Sequence, residues 1–172
     1  MKFIPLPPLE ELKEFLDYNP ATGVFTWKKE PPYQYKIKGG QKAGCLNNNG
    51  YRQIQFMRNQ FVAHRLAYYM HYGVGPLEKL VDHINGDKTD NRIKNLRLVT
   101  NQQNLFNKSS LSKRNFSGFT GVFWNKKARK WQVSIVYNGK NIYLGLYSNK
   151  EDAIQVRKEA EIKYYGEFRR QD

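Results

Sequence analysis

Cysteine is almost absent from this chain. The lone Cys45 can form no disulfide within it and cannot supply a cysteine-rich zinc site. Zinc fingers are excluded, no disulfide partner is expected, and the setting implied is reducing, that is, cytoplasmic. Long apolar runs are missing as well: no stretch approaches the roughly 20 apolar residues that span a bilayer. The opening "MKFIPLPPLEELKEF" is broken by Pro5, Pro7 and Pro8 and then turns acidic, unlike a secretory signal. No membrane partner is expected. Acid is the third shortage, because from Asn91 through Lys150 there is no Asp or Glu, while Arg92, Arg97, Lys113, Arg114, Lys126, Lys127, Arg129 and Lys130 all fall there. An ordinary solvated surface mixes both signs, so this run calls for another explanation.

What is present supplies one. The 172 residues carry 40% hydrophobic and 15% aromatic side chains, enough for one core or two small ones, and a formal net charge of +14. A folded surface that positive favours a polyanion through long-range attraction and counterion release, and double-stranded DNA is the expected partner.

Along the chain, "LEELKEFLDY" has helical apolar spacing, "NPATG" reads as a turn, and "VFTW" reads as a strand. Residues 1–50 thus form an amino-terminal cap followed by a basic loop. Next, "GYRQIQFMRNQFVA" reads as two strands joined near Arg58 and Asn59, "AHRLAYYMHY" as a helix, and "NQQNLFN" after Thr100 as a short helix, within a domain spanning 51–108. Residues 109–116 are polar, basic and linker-like. In 117–172, "TGVFWN", "KWQVSIVY" and "KNIYLGLY" are β-rich, the second turn is an Asn-Gly hairpin signal, and "SNKEDAIQVRKEAEIKYYG" reads as a helix capped by Ser148 and ended by Gly166. The expected apolar stripe of that helix is Ala153, Val156, Ala160 and Ile162 or Lys163. Trp131, Val133 and Ile135 should face it, leaving Gln132, Ser134 and Val136 on the opposite side of the sheet.

The chemistry concentrates in "VDHINGDKTDNRIKNL", residues 81–96. A carboxylate beside an imidazole, Asp82 and His83, lets one group hold a divalent ion while the other takes a proton from water. Neighbours on a strand point to opposite faces, so serving one site requires a bent strand end. The order "DH", "DNR..NLR", "TNQQN", preceded by "FVAHRLAYYM", resembles the HNH endonucleases of the ββα-metal fold, particularly the phage and intron-encoded homing group. That resemblance implies His83 as general base, Asp82 and Asn104 as ligands of one divalent ion (Mg2+ or Mn2+), and Asn95 as the central asparagine that holds the loop and orients His83. It also implies products with a 5′-phosphate and a 3′-hydroxyl, and a host that is bacterial or phage-infected. The third motif letter is commonly His, whereas the helix here offers Asn101, Asn104 and Asn107; Asn104 is preferred.

The carboxy-terminal "GFTGVFWNKKARKWQVSIVYNGKNIYLGLYSNKEDAIQVRKEAEIKYYGEF", most specifically "YLGLYSNKEDA", resembles the ethylene-response-factor (AP-two) DNA-binding domain. The resemblance implies a three-stranded sheet laid in the major groove, with Phe123, Asn125, Gln132, Ser134, Val136, Asn141 and Tyr143 toward DNA and Lys126, Lys127, Arg129 and Lys130 near phosphates. Lys113 and Arg114 of the linker join that footprint. Arginines that read guanine in the plant proteins are replaced here by Thr120, Phe123, Ser134 and Val136, so a GC-rich target does not carry over.

Blander readings apply elsewhere. His64 reads first as a packed or hydrogen-bonded histidine and His71 as a helix-end residue. Asp87 and Asp90 read as turn builders and Trp131 as core. The expected class is α+β: a ββα-metal HNH nuclease unit plus a small three-stranded antiparallel sheet with one packed helix. The expected function is a monomeric, site-specific, metal-dependent DNA endonuclease; the alternative is a non-catalytic DNA-binding regulator that retains the nuclease fold.

Overall fold

The computed structural model describes residues 5–31, 36–107 and 115–170. The chain folds as two compact units, Met1–Asn101 and Gln102–Asp172, of mixed α+β architecture built from small antiparallel sheets and helices. No helix of the described residues is long and apolar enough to cross a membrane.

The first unit opens with α1 (Leu9–Phe15), β1 (Leu16–Asn19) and β2 (Val24–Trp27). The helix stops short of the full "LEELKEFLDY" pattern because Leu16 turns extended and pairs with Trp27 across an antiparallel ladder. The "NPATG" turn that joins the strands is tied by Asn19, whose Oδ1 accepts the backbone N–H groups of Ala21 and Thr22. Then come β3 (Cys45–Leu46), β4 (Arg52–Phe56) and β5 (Asn59–Val62), a three-stranded sheet in that order. A tight turn at Met57 and Arg58, with φ of 46° and 63°, joins the last two, the left-handed pair that a primed hairpin turn requires.

Helix α2 (Ala63–Tyr72) follows at once and ends at left-handed Gly73, whose N–H returns to the Tyr69 carbonyl. The unit closes with the hairpin β6 (Leu80–His83) and β7 (Leu96–Val99), whose long loop contains a single 3-10 turn at Ile93–Asn95. Leu12, Leu16, Phe25, Ile54, Phe56, Leu66, Val81 and Leu96 belong to one buried cluster. The cap expected at 1–50 therefore shares a core with the segment expected to be a separate nuclease domain. Joining them is the physical way for pieces this small to bury enough apolar surface.

The second unit carries α3 (Asn101–Phe106), β8 (Val122–Asn125), β9 (Lys130–Tyr137), β10 (Lys140–Tyr147) and α4 (Lys150–Tyr165). The strands form an antiparallel sheet in the order β10-β9-β8, and the β9–β10 turn uses Asn138 and Gly139, both at positive φ. Helix α3, read from sequence as part of 51–108, packs here: the Phe106 ring stacks on Tyr165 with centroids 3.9 Å apart. Two expectations about α4 are corrected. Its cap is Asn149, which accepts the Glu151 N–H, rather than Ser148. Its stripe keeps the expected Ala153, Val156 and Ala160, with Val156 half-buried against the core, but Arg157 and Tyr165 complete it, while Ile162 and Lys163 face solvent. Arg157 is buried because its Nε donates to the Thr120 carbonyl at 2.8 Å and its guanidinium pairs with Glu161. A side chain on Gly121 would meet both the Ser134 carbonyl and that guanidinium, so glycine is required there.

Candidate active site

The β6–β7 ladder pairs Asp82 with Arg97 and His83 with Leu96, so Asp82 and His83 are neighbours at the end of β6, and the field of the Asp82 carboxylate reaches both the His83 ring and Tyr51 beside it. The loop between the strands is held by its own Asx side chains. Asn85 Oδ1 accepts the Asp87 N–H, and Asp87 Oδ1 accepts both the N–H and the hydroxyl of Thr89. Asp90 takes the Arg92 guanidinium and an N–H of the Asn85 amide. Those bonds, chiefly the one from Arg92, hold the Asp90 carboxyl at about 2, well below the ordinary carboxylate range. Asn95 bridges the loop: its Oδ1 accepts the Asn85 N–H at 3.0 Å and its Nδ2 donates to the Asp90 carbonyl at 2.8 Å.

The side chain that touches His83 is another asparagine. His83 Nε2 lies 3.1 Å from Asn91 Oδ1, and both residues are buried. With the amide oxygen turned to the ring, the pair is made by the tautomer in which Nε2 donates, and in that tautomer Nδ1 is the accepting nitrogen. Burial lowers the His83 pKa; the Asn91 bond and the fields of Asp82, Asp87 and Asp90 oppose that shift without reversing it. The ring is therefore neutral around pH 7, as a proton acceptor must be.

Asn91 is itself braced by the cap. Tyr18 donates its hydroxyl to the Asn91 carbonyl at 2.7 Å, and the Ile93 N–H reaches the Pro20 carbonyl at 3.0 Å. A Cβ on Gly23 would stand 2.5 Å from the Arg92 nitrogen and 2.6 Å from the Asn91 carbonyl carbon, so the cap turn lies directly against this backbone.

Across the ladder, Arg97 donates through Nε and Nη2 to Asp82 Oδ2, each at 3.1 Å, and both side chains are largely buried. Tyr51 and His64 lie against His83. Their ring centroids lie 6.1 and 4.9 Å from the imidazole. Among the described residues no group of three or more His, Cys, Asp or Glu could hold a metal ion. The fit to a divalent ion therefore rests on Asp82: one buried carboxylate suits a small hard cation that keeps most of its water and takes further oxygens from a substrate phosphate.

Asn104 lies on α3 in the second unit and is half-buried, as Asn107 is buried and Asn101 exposed on the same segment. Gln132, Ser134, Asn141 and Tyr143 alternate with the buried Val133 and Ile135 and share the outer sheet face, where Asn125 donates to Gln132 Oε1 at 2.8 Å. Lys126, Lys127 and Arg129 form the exposed β8–β9 turn, and Lys130 opens β9. Lys113 and Arg114 lie outside the described residues. Sequence reasoning passed over Asn91 and Arg97 although both stand in the "DNR..NLR" string. Tyr51, far upstream, left no signal.

Residues 61–105 match the family model described as HNH endonuclease. That span contains His64, Asp82, His83, Asn91, Asn95, Arg97 and Asn104. The chain is 32% identical over 124 residues to an uncharacterized HNH endonuclease, L560, of Acanthamoeba polyphaga mimivirus, covering 72% of this chain and 63% of that protein. It is 34% identical over 68 residues to protein 3.8 of Escherichia phage T7, covering 38% of this chain and 55% of the relative. The chain thus spans less than two thirds of the length of either. A solved structure concerned with DNA binding and cleavage by the HNH homing endonuclease I-HmuI aligns over 92% of this chain and 90% of that one, at 17% identity and a TM-score of 0.43.

Proposed function

We propose that the chain is a site-specific DNA endonuclease of the homing type that hydrolyses a phosphodiester bond with His83 as general base. The observation that carries this reading is the buried contact of His83 Nε2 with Asn91 Oδ1 at 3.1 Å, one residue from Asp82; with Nε2 as the donor, Nδ1 is the nitrogen that accepts a proton. His83 Nδ1 takes the proton from a water molecule as that water attacks phosphorus. Asn91 keeps the ring in the tautomer that can do so, and Asn95 keeps the loop closed around it. Asp82 is the residue of the first unit that would hold a divalent ion, magnesium or manganese. Such an ion supplies positive charge at the phosphate and at its departing 3′ oxygen. The ligand role that the resemblance gives to Asn104 is tested by its own variant, Asn104→Ala.

The second unit is proposed to find the site. The outer face of its sheet is rich in amide and hydroxyl groups and is rimmed by Lys126, Lys127, Arg129 and Lys130. Such a β surface is suited to groove contacts, with the basic rim on phosphates. This is the arrangement that the AP-two resemblance implies. A monomer carries one general base, so nicked circles are the expected lasting product from supercoiled DNA.

The test is incubation of wild type and His83→Ala with supercoiled DNA and magnesium, where loss of the base should lower cutting by roughly 100- to 10,000-fold. A second reading, a DNA-binding protein without catalysis, draws on one observation, the Arg97 guanidinium engaged on Asp82. It predicts gel shifts with no nicking by the wild type across many sequences, an outcome that would overturn the enzymatic reading.

A further inference from the structure

His83 is one of two buried histidines in the first unit, and they touch. His64 stands on the first turn of α2, delivered there by β5, which runs straight into the helix. It is 8% exposed, and its ring meets that of His83 edge to face, with centroids 4.9 Å apart and planes at 73°. Tyr51 lies against both rings, 5.3 Å from His64 and 6.1 Å from His83. His64 Nδ1 is buried with no hydrogen-bond partner among the described residues. An orphaned polar atom of this kind costs stability, which an aliphatic side chain on this core-facing turn would avoid. Burial also pushes the His64 pKa down to about 3, so its ring remains uncharged beside its neighbour.

We propose that His64 is a positioning residue for the general base: its ring forms the wall that, with the Asn91 bond, confines His83 to one orientation. This rests on the assignment of His83 as base. Asn91 fixes one nitrogen of the imidazole, but a hydrogen bond lying in the ring plane does not itself set the tilt of the ring about that bond. The edge-to-face contact from α2 and the tilted Tyr51 ring remove that freedom from the other side. A ring in contact with the imidazole can do this, and a flexible chain of similar bulk cannot. Small misalignments of a catalytic group cost rate steeply, so the wall acts on turnover more than on DNA binding.

The experiment compares His64→Leu, which fills the space without a ring, with His64→Phe, which restores a ring without nitrogens. Leucine should lower kcat for nicking by roughly 10- to 100-fold with little change in KM for DNA, and phenylalanine should recover much of that loss. Nitrogen NMR of the His83 ring gives a second readout independent of cutting. It should show one Nε2-protonated tautomer in the wild type and the phenylalanine variant, and averaging in the leucine variant. Wild-type kcat in His64→Leu, a loss confined to KM, or an equal loss in both variants would overturn the proposal. So would a tautomer mixture in the wild type, a measurement that needs no variant to fold. If instead no protein cuts yet the tautomer pattern holds, the nuclease reading fails, and what stands is the confinement of the His83 ring by His64 without a catalytic role for it.

Discussion

Arg97 reaches across one rung of the β6–β7 ladder to hold the Asp82 carboxylate through two N–H groups. The relationship is built by register: cross-strand partners bring their side chains to one face, and both are nearly buried there. A carboxylate so enclosed needs a cation. The guanidinium supplies one, and a divalent ion on the same carboxylate would share or take over that role.

Replacing Arg97 with Gln should therefore do more than remove a surface charge. It leaves the Asp82 carboxylate buried without its cation, which should lower stability by about 3–5 kcal/mol. Magnesium should restore part of that loss, because the ion now meets a carboxylate that has lost its guanidinium. Thermal melts of wild type and Arg97→Gln, each with and without magnesium, check this; the magnesium-induced rise in Tm is expected to be larger in the variant.

The amino-terminal cap should matter to catalysis through the Asn91 segment that it braces. Gly23→Ala places a Cβ within 2.6 Å of the Asn91 and Arg92 backbone at a φ of +73°. The clash is with main chain, so the segment carrying Asn91 must move. Tyr18→Phe is the milder probe, removing only the hydroxyl that donates to the Asn91 carbonyl, at about 1 kcal/mol. Nicking should fall in both, more in Gly23→Ala, while gel-shift affinity for DNA changes little.

Legibility tracked how local each signal was. The Asn-Gly turn, the alternation in "KWQVSIVY" and the spacing in "AHRLAYYMHY" are written within a few residues, and β9, β10 and α2 span the stretches expected of them. The helix read through "LDY" ended early because Leu16 gains a strand partner in Trp27, a tertiary fact that helical periodicity does not contain. Asn91 and Arg97 were hidden differently. Their residue types suit turns and phosphate binding equally well, and only the ladder register and the Tyr18 brace aim them at His83 and Asp82. His64 read as a packed histidine, and it is packed; what it packs against became visible only when α2 was set beside β6.

Acid should destabilise the first unit through His64. Its pKa falls from the ordinary 6.5 to about 3 in the folded protein, chiefly by burial. Between those values the unfolded chain holds a proton on His64 that the native state refuses. Stability is therefore complete above the unfolded value and declines as pH falls toward the folded one, by up to about 1.4 kcal/mol per pH unit. His83, also lowered, adds in the same direction. Urea unfolding at about pH 7 and about pH 5 should show the lower midpoint at the acidic value, and His64→Phe should reduce the difference between them. An identical pH dependence in the variant would mean that His64 is not the group responsible.

Salt should separate the work of the two units. Lys126, Lys127, Arg129 and Lys130 are exposed on a turn whose backbone is fixed by Asn125, which accepts the Lys127 and Ala128 N–H groups. If these cations lie on phosphates, each phosphate that is no longer neutralised should flatten the slope of log affinity against log salt by about 0.9. Replacing all of them with Gln should weaken binding at low salt and shrink the slope in proportion to the number of phosphates these side chains cover. His83→Ala, which takes no cation away from a phosphate, should leave the slope as it is. Fluorescence-anisotropy titrations across a salt series measure both variants against wild type. An unchanged slope in the glutamine variant would remove this turn from the DNA interface and return the acid-free run of the sequence to ordinary solvated surface.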